Sequence, residues 1–314
     1  MSKHLVYNAI LLERQDLSPS LAIFRIEPAE RPAAGRRWFE PGQYVSLGMN
    51  LDEAGESSVQ RAYSIASAPE EPRWLELYIR RAVPANTAYP LTHRLWQVRP
   101  GERLYASAKI TGHFTLEHTL APDDSRIRVL VGSGTGVAPF VSMVRSARRR
   151  GDRELLGRMV VMHGASHAHE LGYREEFEAA VRQGLLAYVP TVSRPRDNPT
   201  WTGASGRVET HFDGDNLRAF ERRLALGQGE FSSRSAVAYV CGFTGTIVGL
   251  VSSLLARGFA PAERRVRRQL EIPADYPASL FYEQYDPGSI FDQGGPQLVE
   301  RLKLAFRRHL EQGA

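Results

Sequence analysis

The chain changes character once, at Ala121-Pro122-Asp123-Asp124, and that change constrains its fold more than any other feature. Before it, short runs rich in Val, Ile, Leu, Tyr and Phe occupy residues 5–13, 20–27, 43–49, 61–67, 74–81 and 102–108, separated by Pro, Gly and acidic turn signals. Strands of that length and spacing predict an antiparallel barrel or sandwich. One short helix is expected over 92–98, with Thr92 as its N-cap. After the break, strand and helix patterns alternate. Strands are expected at 127–131, 159–163, 186–192 and 237–241, and helices at 137–149, 170–183, 215–226 and 244–257. Such alternation means parallel βαβ units. The expected division is residues 1–120, 121–262 and a C-terminal extension, 263–314. That extension holds a basic run, Arg264-Arg265-Val266-Arg267-Arg268, a strand at 279–285, and a helix with Leu298, Leu302, Phe306 and Leu310 on one face.

Composition narrows the chemistry. At 314 residues and 42% hydrophobic the chain suits two globular domains. Forty basic against 35 acidic residues give a net charge of +5, which favours an acidic partner but not nucleic acid. Lysine occurs only at positions 3, 109 and 303, never after a glycine, so a phosphate-binding Gly-Lys-Ser/Thr loop is excluded. Cys241 is the single cysteine. That excludes intramolecular disulfides, cysteine zinc sites and iron–sulfur clusters, and it fits a reducing cytoplasm. Charges at Glu13, Arg14 and Asp16 argue against a signal peptide. Residues 235–256 carry no charge, but their glycines and change of period make them a buried strand, turn and helix rather than a membrane span.

The chemical motifs are few. Gly132-Ser133-Gly134-Thr135-Gly136 joins an expected strand to an expected helix. Glycines there let a pyrophosphate approach the backbone N–H groups, at the end of the strand where parallel sheets bind ligands. The spacing differs from Gly-x-Gly-x-x-Gly, and Val131 precludes a Gly-x-Ser-x-Gly elbow. Arg61-Ala62-Tyr63-Ser64 offers a phosphate fork, a stacking ring and a hydroxyl on one strand, although any half-exposed strand can alternate so. Arg194, Arg196 and Arg207 flank a loop that suits an extra phosphate or a solvated surface equally. His163, His167 and His169 lie close together, but no carboxylate or cysteine completes a known pattern, and no metal is expected. Cys241 reads as a small buried side chain rather than a nucleophile.

In order and spacing these motifs resemble the ferredoxin–NADP reductase family, most closely its bacterial ferredoxin/flavodoxin branch. The series runs from Arg61-Ala62-Tyr63-Ser64-Ile65-Ala66-Ser67 and Thr111-Gly112-His113-Phe114 through Gly132 to Phe140, His163-Gly164, Glu170-Leu171-Gly172-Tyr173 and Thr191-Val192-Ser193-Arg194. It continues with Gly206-Arg207, Cys241-Gly242 and Gly258-Phe259. The resemblance implies an FAD-binding antiparallel barrel followed by an NADP-binding α/β domain. It assigns the FAD to Arg61 (pyrophosphate), Ala62, Tyr63 (ring stacking), Ser64 (near the hydride-accepting nitrogen), Tyr78, Ile79, Arg80, Thr92 and Thr111. It assigns the nicotinamide nucleotide to Gly132, Gly134, Thr135, Gly136, Cys241 and Gly242, with Arg194 and Arg207 on the 2′-phosphate. Ser64, Cys241 and Glu283 are the implied catalytic residues, and Tyr282 or Tyr285 covers the flavin.

Three departures stand out, one being that the family usually ends soon after the strand matched by Phe281-Tyr282-Glu283-Gln284-Tyr285, whereas 29 residues follow it here. Pro90-Leu91-Thr92 replaces the common Gly-x-Thr. Ala165-Ser166-His167 stands where the branch often has an arginine, which leaves NADH open beside NADPH. The expected activity is electron transfer from NADPH to ferredoxin or flavodoxin, with the arginines at 148–150 and 264–268 as docking charges. Two alternatives remain. One is a reductase of this fold serving free flavin, a quinone or an oxygenase; the other is a non-catalytic nucleotide-binding regulatory module.

Overall fold

A computed structural model describes residues 4–31, 36–52, 57–82, 90–286, 289–292 and 295–313. Two compact units result. One is residues up to Leu120 together with Ala138–Asp152; the other is Ala121–Val137 together with the chain from Arg153 onward.

The first unit holds β1 (Ala9–Ser18), β2 (Leu21–Pro28), β3 (Tyr44–Asn50), β4 (Ser58–Ser64), β5 (Leu75–Arg80), α1 (Leu91–Leu95), β6 (Arg103–Ala106), α2 (Leu116–Thr119) and α3 (Ala138–Arg149). Its strands pair antiparallel in the order β4-β3-β6-β1-β2-β5. A bridge between Ile65, just past β4, and Leu77 of β5 joins the two ends of that order, so the sheet closes as a barrel. Period-two alternation decides what fills it. Ala9 and Leu11, then Ala22, Phe24 and Ile26, then Val45 and Leu47, then Leu75, Leu77 and Ile79 all enter one core, with Leu91 and Leu95 of α1 added to it. Register shifts between Leu11 and Glu13 and between Asp16 and Ser18 bend β1 as closure requires.

The helix α3 follows the glycine turn in sequence yet clusters with this unit. Apolar and polar contacts both hold it there, with Phe140 and Phe114 rings 5.9 Å apart. Ser142 Oγ donates to Ser67 O at 2.7 Å, Ser146 Oγ to Glu70 Oε1 at 2.7 Å, and Arg145 Nη1 to Glu76 Oε1 at 2.7 Å. Thr92 is not the N-cap of α1; Pro90 occupies that position.

The second unit contains β7 (Ile127–Ser133), α4 (Arg153–Gly157), β8 (Met159–Ala165), α5 (Arg174–Arg182), β9 (Ala187–Val192), β10 (Ala204–Ser205) and α6 (Gly214–Arg223). It continues with β11 (Ala236–Gly242), α7 (Thr244–Leu255), β12 (Ala260–Pro261), α8 (Arg264–Gln269), β13 (Ala278–Gln284) and α9 (Gly295–Gly313). Every pairing is parallel, in the order β10-β9-β8-β7-β11-β13-β12. All seven residues of β8 and of β11 are buried. A parallel sheet covered on both faces wants such unbroken apolar runs. The chain starts at β7, steps outward to β10, then returns to β11 on the other side of β7. That reversal is the topological switch point, where open parallel sheets bind ligands.

The apolar stripe of α9 is not a free surface. Leu298, Leu302 and Phe306 enter the core of the second unit, and His309 lies against Gly258. The basic run forms α8, a short helix absent from the sequence reading. Arg267 within it is buried and donates to Pro261 O at 3.3 Å, Pro273 O at 2.6 Å and Tyr276 O at 2.7 Å. It is a structural residue rather than a docking charge. Among the described residues no helix is long and apolar enough to cross a membrane.

Candidate functional site

The first unit gathers its motif residues around the end of β4. Ser64 pairs in register with Tyr44, and Tyr44 exchanges backbone hydrogen bonds with Thr111 at 2.9 and 3.1 Å. Gln43 Nε2 donates to Gly112 O at 3.1 Å, which ties the segment before β3 to the one carrying Thr111. Ser64 is 7% exposed, so it sits at the rim of the core rather than on open surface. Arg61 and Ala62 are exposed. The Arg61 guanidinium donates to Gln60 O at 2.7 Å and, among the described residues, to nothing else, leaving most of its fork for an anion.

Tyr63 packs against the barrel core, yet its hydroxyl is buried with no hydrogen-bond partner among the described residues. Burial raises the pKa of that phenol, and the Arg61 charge lowers it less. An orphaned buried hydroxyl costs about 1–3 kcal/mol. A polar, planar group laid against this ring could take up that hydroxyl, and the flavin expectation fits it.

On β5, Tyr78 is 3% exposed and Arg80 half-buried. Ile79 faces the barrel core, so only its backbone is open to a ligand. Thr92 Oγ1 accepts from Ala82 N at 3.0 Å.

The second unit builds its site at the switch point. Gly132 pairs with Cys241, and Cys241 with Glu283, so three expected site residues lie side by side across β7, β11 and β13. A Cβ on Gly136 would lie 2.0 Å from Cys241 O, and one on Gly132 would lie 2.7 Å from Val137 N and Cα. Those glycines let the turn press against the end of β11. Gly134 differs: φ is +57° and its Cβ position opens on free space. The cradle is tight behind and open in front, as a ligand approaching the backbone requires. Residues 134–137, with Thr135 among them, form a single 3₁₀ turn.

His163 holds this turn from below. Its Nε2 donates to Gly134 O at 3.2 Å, and Nδ1 lies 3.4 Å from the Tyr188 hydroxyl. Burial brings its pKa down to about 4, so the ring is neutral. In the sequence His163 stood out only as part of His163-Gly164, and the β7–β8 pairing is what brings it to the turn. Beyond β11, Gly242 O accepts from Tyr285 N at 3.1 Å. Asp286 accepts from Thr244 N at 2.8 Å and from Thr244 Oγ1 at 2.6 Å, capping α7. No sequence signal linked those two residues, which lie 42 positions apart. Burial pushes the Cys241 thiol well up, Glu283 adds to it, and a Tyr285 hydrogen bond partly offsets them. A fully buried neutral thiol is no nucleophile.

The two candidate tyrosines are separated. The Tyr282 hydroxyl is hydrogen-bonded to Glu263. Tyr285 is 36% exposed and meets Phe243, 57% exposed, edge-on at 6.0 Å. Arg194 and Arg207 emerge just past β9 and β10, whose ends pair in register. Arg194 is exposed, but Arg207 Nε lies 2.6 Å from Glu209 Oε1, so its charge is already answered. The three histidines part company: His163 is buried, whereas His167 and His169 meet Glu170, a carboxylate the sequence reading did not bring to them.

Comparison with known proteins identifies the family. Residues 130–250 match the oxidoreductase NAD-binding domain family. The chain is 33% identical over 253 residues to ferredoxin–NADP reductase B of Sorangium cellulosum (strain So ce56), covering 80% of this chain and 91% of that one. It is 30% identical over 208 residues to the phenol hydroxylase P5 protein of Acinetobacter pittii (strain PHEA-2), spanning 65% of this chain and about half, 53%, of that relative. A crystal structure of a ferredoxin NADP+ reductase from Neisseria gonorrhoeae with bound FAD and NADP superposes with a TM-score of 0.69 at 22% identity, over 91% of this chain and all of that one. Its barrel and parallel sheet are the fold seen here. The chain belongs to the ferredoxin–NADP reductase family of oxidoreductases.

Proposed function

We propose that the protein is an FAD-dependent reductase that takes reducing equivalents from NADPH and delivers them singly to an acidic carrier of the ferredoxin or flavodoxin kind. The observation that carries this reading is the glycine turn at the switch point, tight against Cys241 and open at Gly134, in a chain whose relative over 80% of its length is named a ferredoxin–NADP reductase. FAD, when bound, supplies the chemistry: it accepts two electrons as hydride and passes them on one at a time.

The chain's own residues bind and orient. Arg61 would hold the pyrophosphate through its uncommitted fork, Tyr63 and Tyr78 would pack the ring system, and Ser64, Arg80, Thr92 and Thr111 would supply polar contacts. Residues 132–136 and Gly242 would hold the nicotinamide nucleotide, with Arg194 on the 2′-phosphate. Cys241 and Glu283, adjacent in register, would line the nicotinamide side, and Tyr285 is the exposed tyrosine available to cover a planar ring. Docking of the carrier would fall to Arg264, Arg265 and Arg268, exposed on α8.

An anaerobic titration followed by visible absorption tests this. The flavin spectrum should bleach with one equivalent of NADPH, and reduced ferredoxin should then appear on mixing. A protein that cannot be loaded with FAD defeats the proposal and favours the regulatory module. A second reading, an NADH-dependent reductase component of an oxygenase, is favoured by one observation: Glu209 already pairs Arg207, leaving fewer charges for a 2′-phosphate. Faster reduction by NADH than by NADPH would establish it.

A further inference from the structure

We propose that His167, His169 and Glu170 form a binding site for one borderline divalent metal ion, with Zn2+ as the reference case, oriented by Asp197. The ligand atoms of the three side chains lie within 4.8 Å of one another. The 3₁₀ turn over 168–170 stacks positions 167 and 170, which are tied by a capping box. The His167 and His169 rings stack at 5.4 Å between centroids. Two imidazoles and one carboxylate are a donor set that zinc accepts, with a fourth position left to water. Mg2+ and Ca2+, which prefer several oxygens, gain little there.

The surroundings resemble the outer shell of a metal site. His167 Nδ1 is 3.6 Å from Glu170 Oε2, while His167 Nε2 is 3.8 Å from Asp197 Oδ2. An ion shared with Glu170 would take Nδ1 in place of the hydrogen bond that the His167 side chain accepts from Glu170 N in the capping box, and Nε2 would then face a second carboxylate. Once drawn in to hydrogen-bond distance, such a carboxylate fixes ring orientation at metal centres. Glu170 is 7% exposed, and its Oε2 accepts from His167 N at 3.2 Å, so this ligand is held in place. Asn198 fastens the two participating loops: Oδ1 accepts from Ala168 N at 2.9 Å, and Nδ2 donates to Arg194 O at 2.7 Å. Zinc bonds of about 2.0–2.1 Å need ligands about 3.3 Å apart. Rotation of His169, the exposed member, supplies the closure.

The experiment uses untagged protein dialysed against a chelator, titrated calorimetrically with ZnCl2 and separately with MgCl2. One equivalent of Zn2+ should bind, Mg2+ should not, and the melting temperature should rise with Zn2+. His169→Ala removes only an exposed ring; it should lose most of the affinity and the thermal shift while keeping the melting temperature of the metal-free protein. Asp197→Asn should weaken Zn2+ about tenfold. Absence of binding at millimolar Zn2+, equal binding of Mg2+, or undiminished Zn2+ affinity in His169→Ala would overturn the proposal.

Discussion

Gly136 and Gly134 are four atoms of backbone apiece, but they do different work. A methyl on Gly136 would sit on the Cys241 carbonyl, backbone against backbone, and nothing nearby is free to swing away. Gly136→Ala should cost at least about 1–3 kcal/mol, whereas Gly134→Ala meets open space and pays only its left-handed φ, about 1–2 kcal/mol. Urea midpoints should therefore fall further for Gly136→Ala. His163 makes a pH prediction. Burial lowers its pKa to about 4, below the unfolded value of about 6.5. The unfolded chain thus binds the proton first as pH falls, and stability present above pH 6.5 drains away toward pH 4. The loss should be on the order of 2 kcal/mol by pH 5. His163→Gln removes that part of the slope. Equal pH slopes in the two proteins would show that the ring is not held neutral.

Most elements were legible because their periods were clean. The inward residues of β2, Ala22, Phe24 and Ile26, alternate as an antiparallel strand must, and the unbroken apolar runs of β8 and β11 could belong only to a covered sheet. What failed to show was of another kind. A run of arginines reads as solvated, and only tertiary structure reveals three carbonyls aimed at Arg267. Glu170 was in plain view beside His169, but only the tight turn swings it toward the imidazoles. The attachment of α3 to the barrel includes hydrogen bonds between residues about 75 positions apart, which no local pattern encodes. For α8 the consequence is testable. Arg267→Ala leaves carbonyls of Pro261, Pro273 and Tyr276 without their donor and should destabilise by about 2–4 kcal/mol. Arg264→Ala on the exposed side of the same helix should stay within about 0.5 kcal/mol. Comparable losses would mean that the helix is held by its exposed charges instead.

A net charge of +5 is modest, so its distribution decides whether it can guide an acidic carrier. Of the runs that suggested docking, Arg149 and Arg150 are paired with Glu71 and Glu117, and Arg267 is buried. Arg264, Arg265 and Arg268 are left exposed on α8, at a spacing that puts them on neighbouring turns of one surface. If they attract the carrier, the effect belongs to encounter rather than to hydride transfer. Replacing all three by glutamine should raise KM for reduced-ferredoxin formation severalfold at low salt while leaving NADPH-dependent reduction of ferricyanide unchanged. Salt should reproduce the phenotype in the unmodified protein, because moving from about 0.02 to about 0.3 M shortens the screening length from about 20 to about 6 Å. The variant should then respond little to added salt, since the charges that salt screens are gone. Turnover with ferredoxin that is insensitive both to salt and to the triple substitution would remove α8 as the docking surface and leave the hydride chemistry untouched.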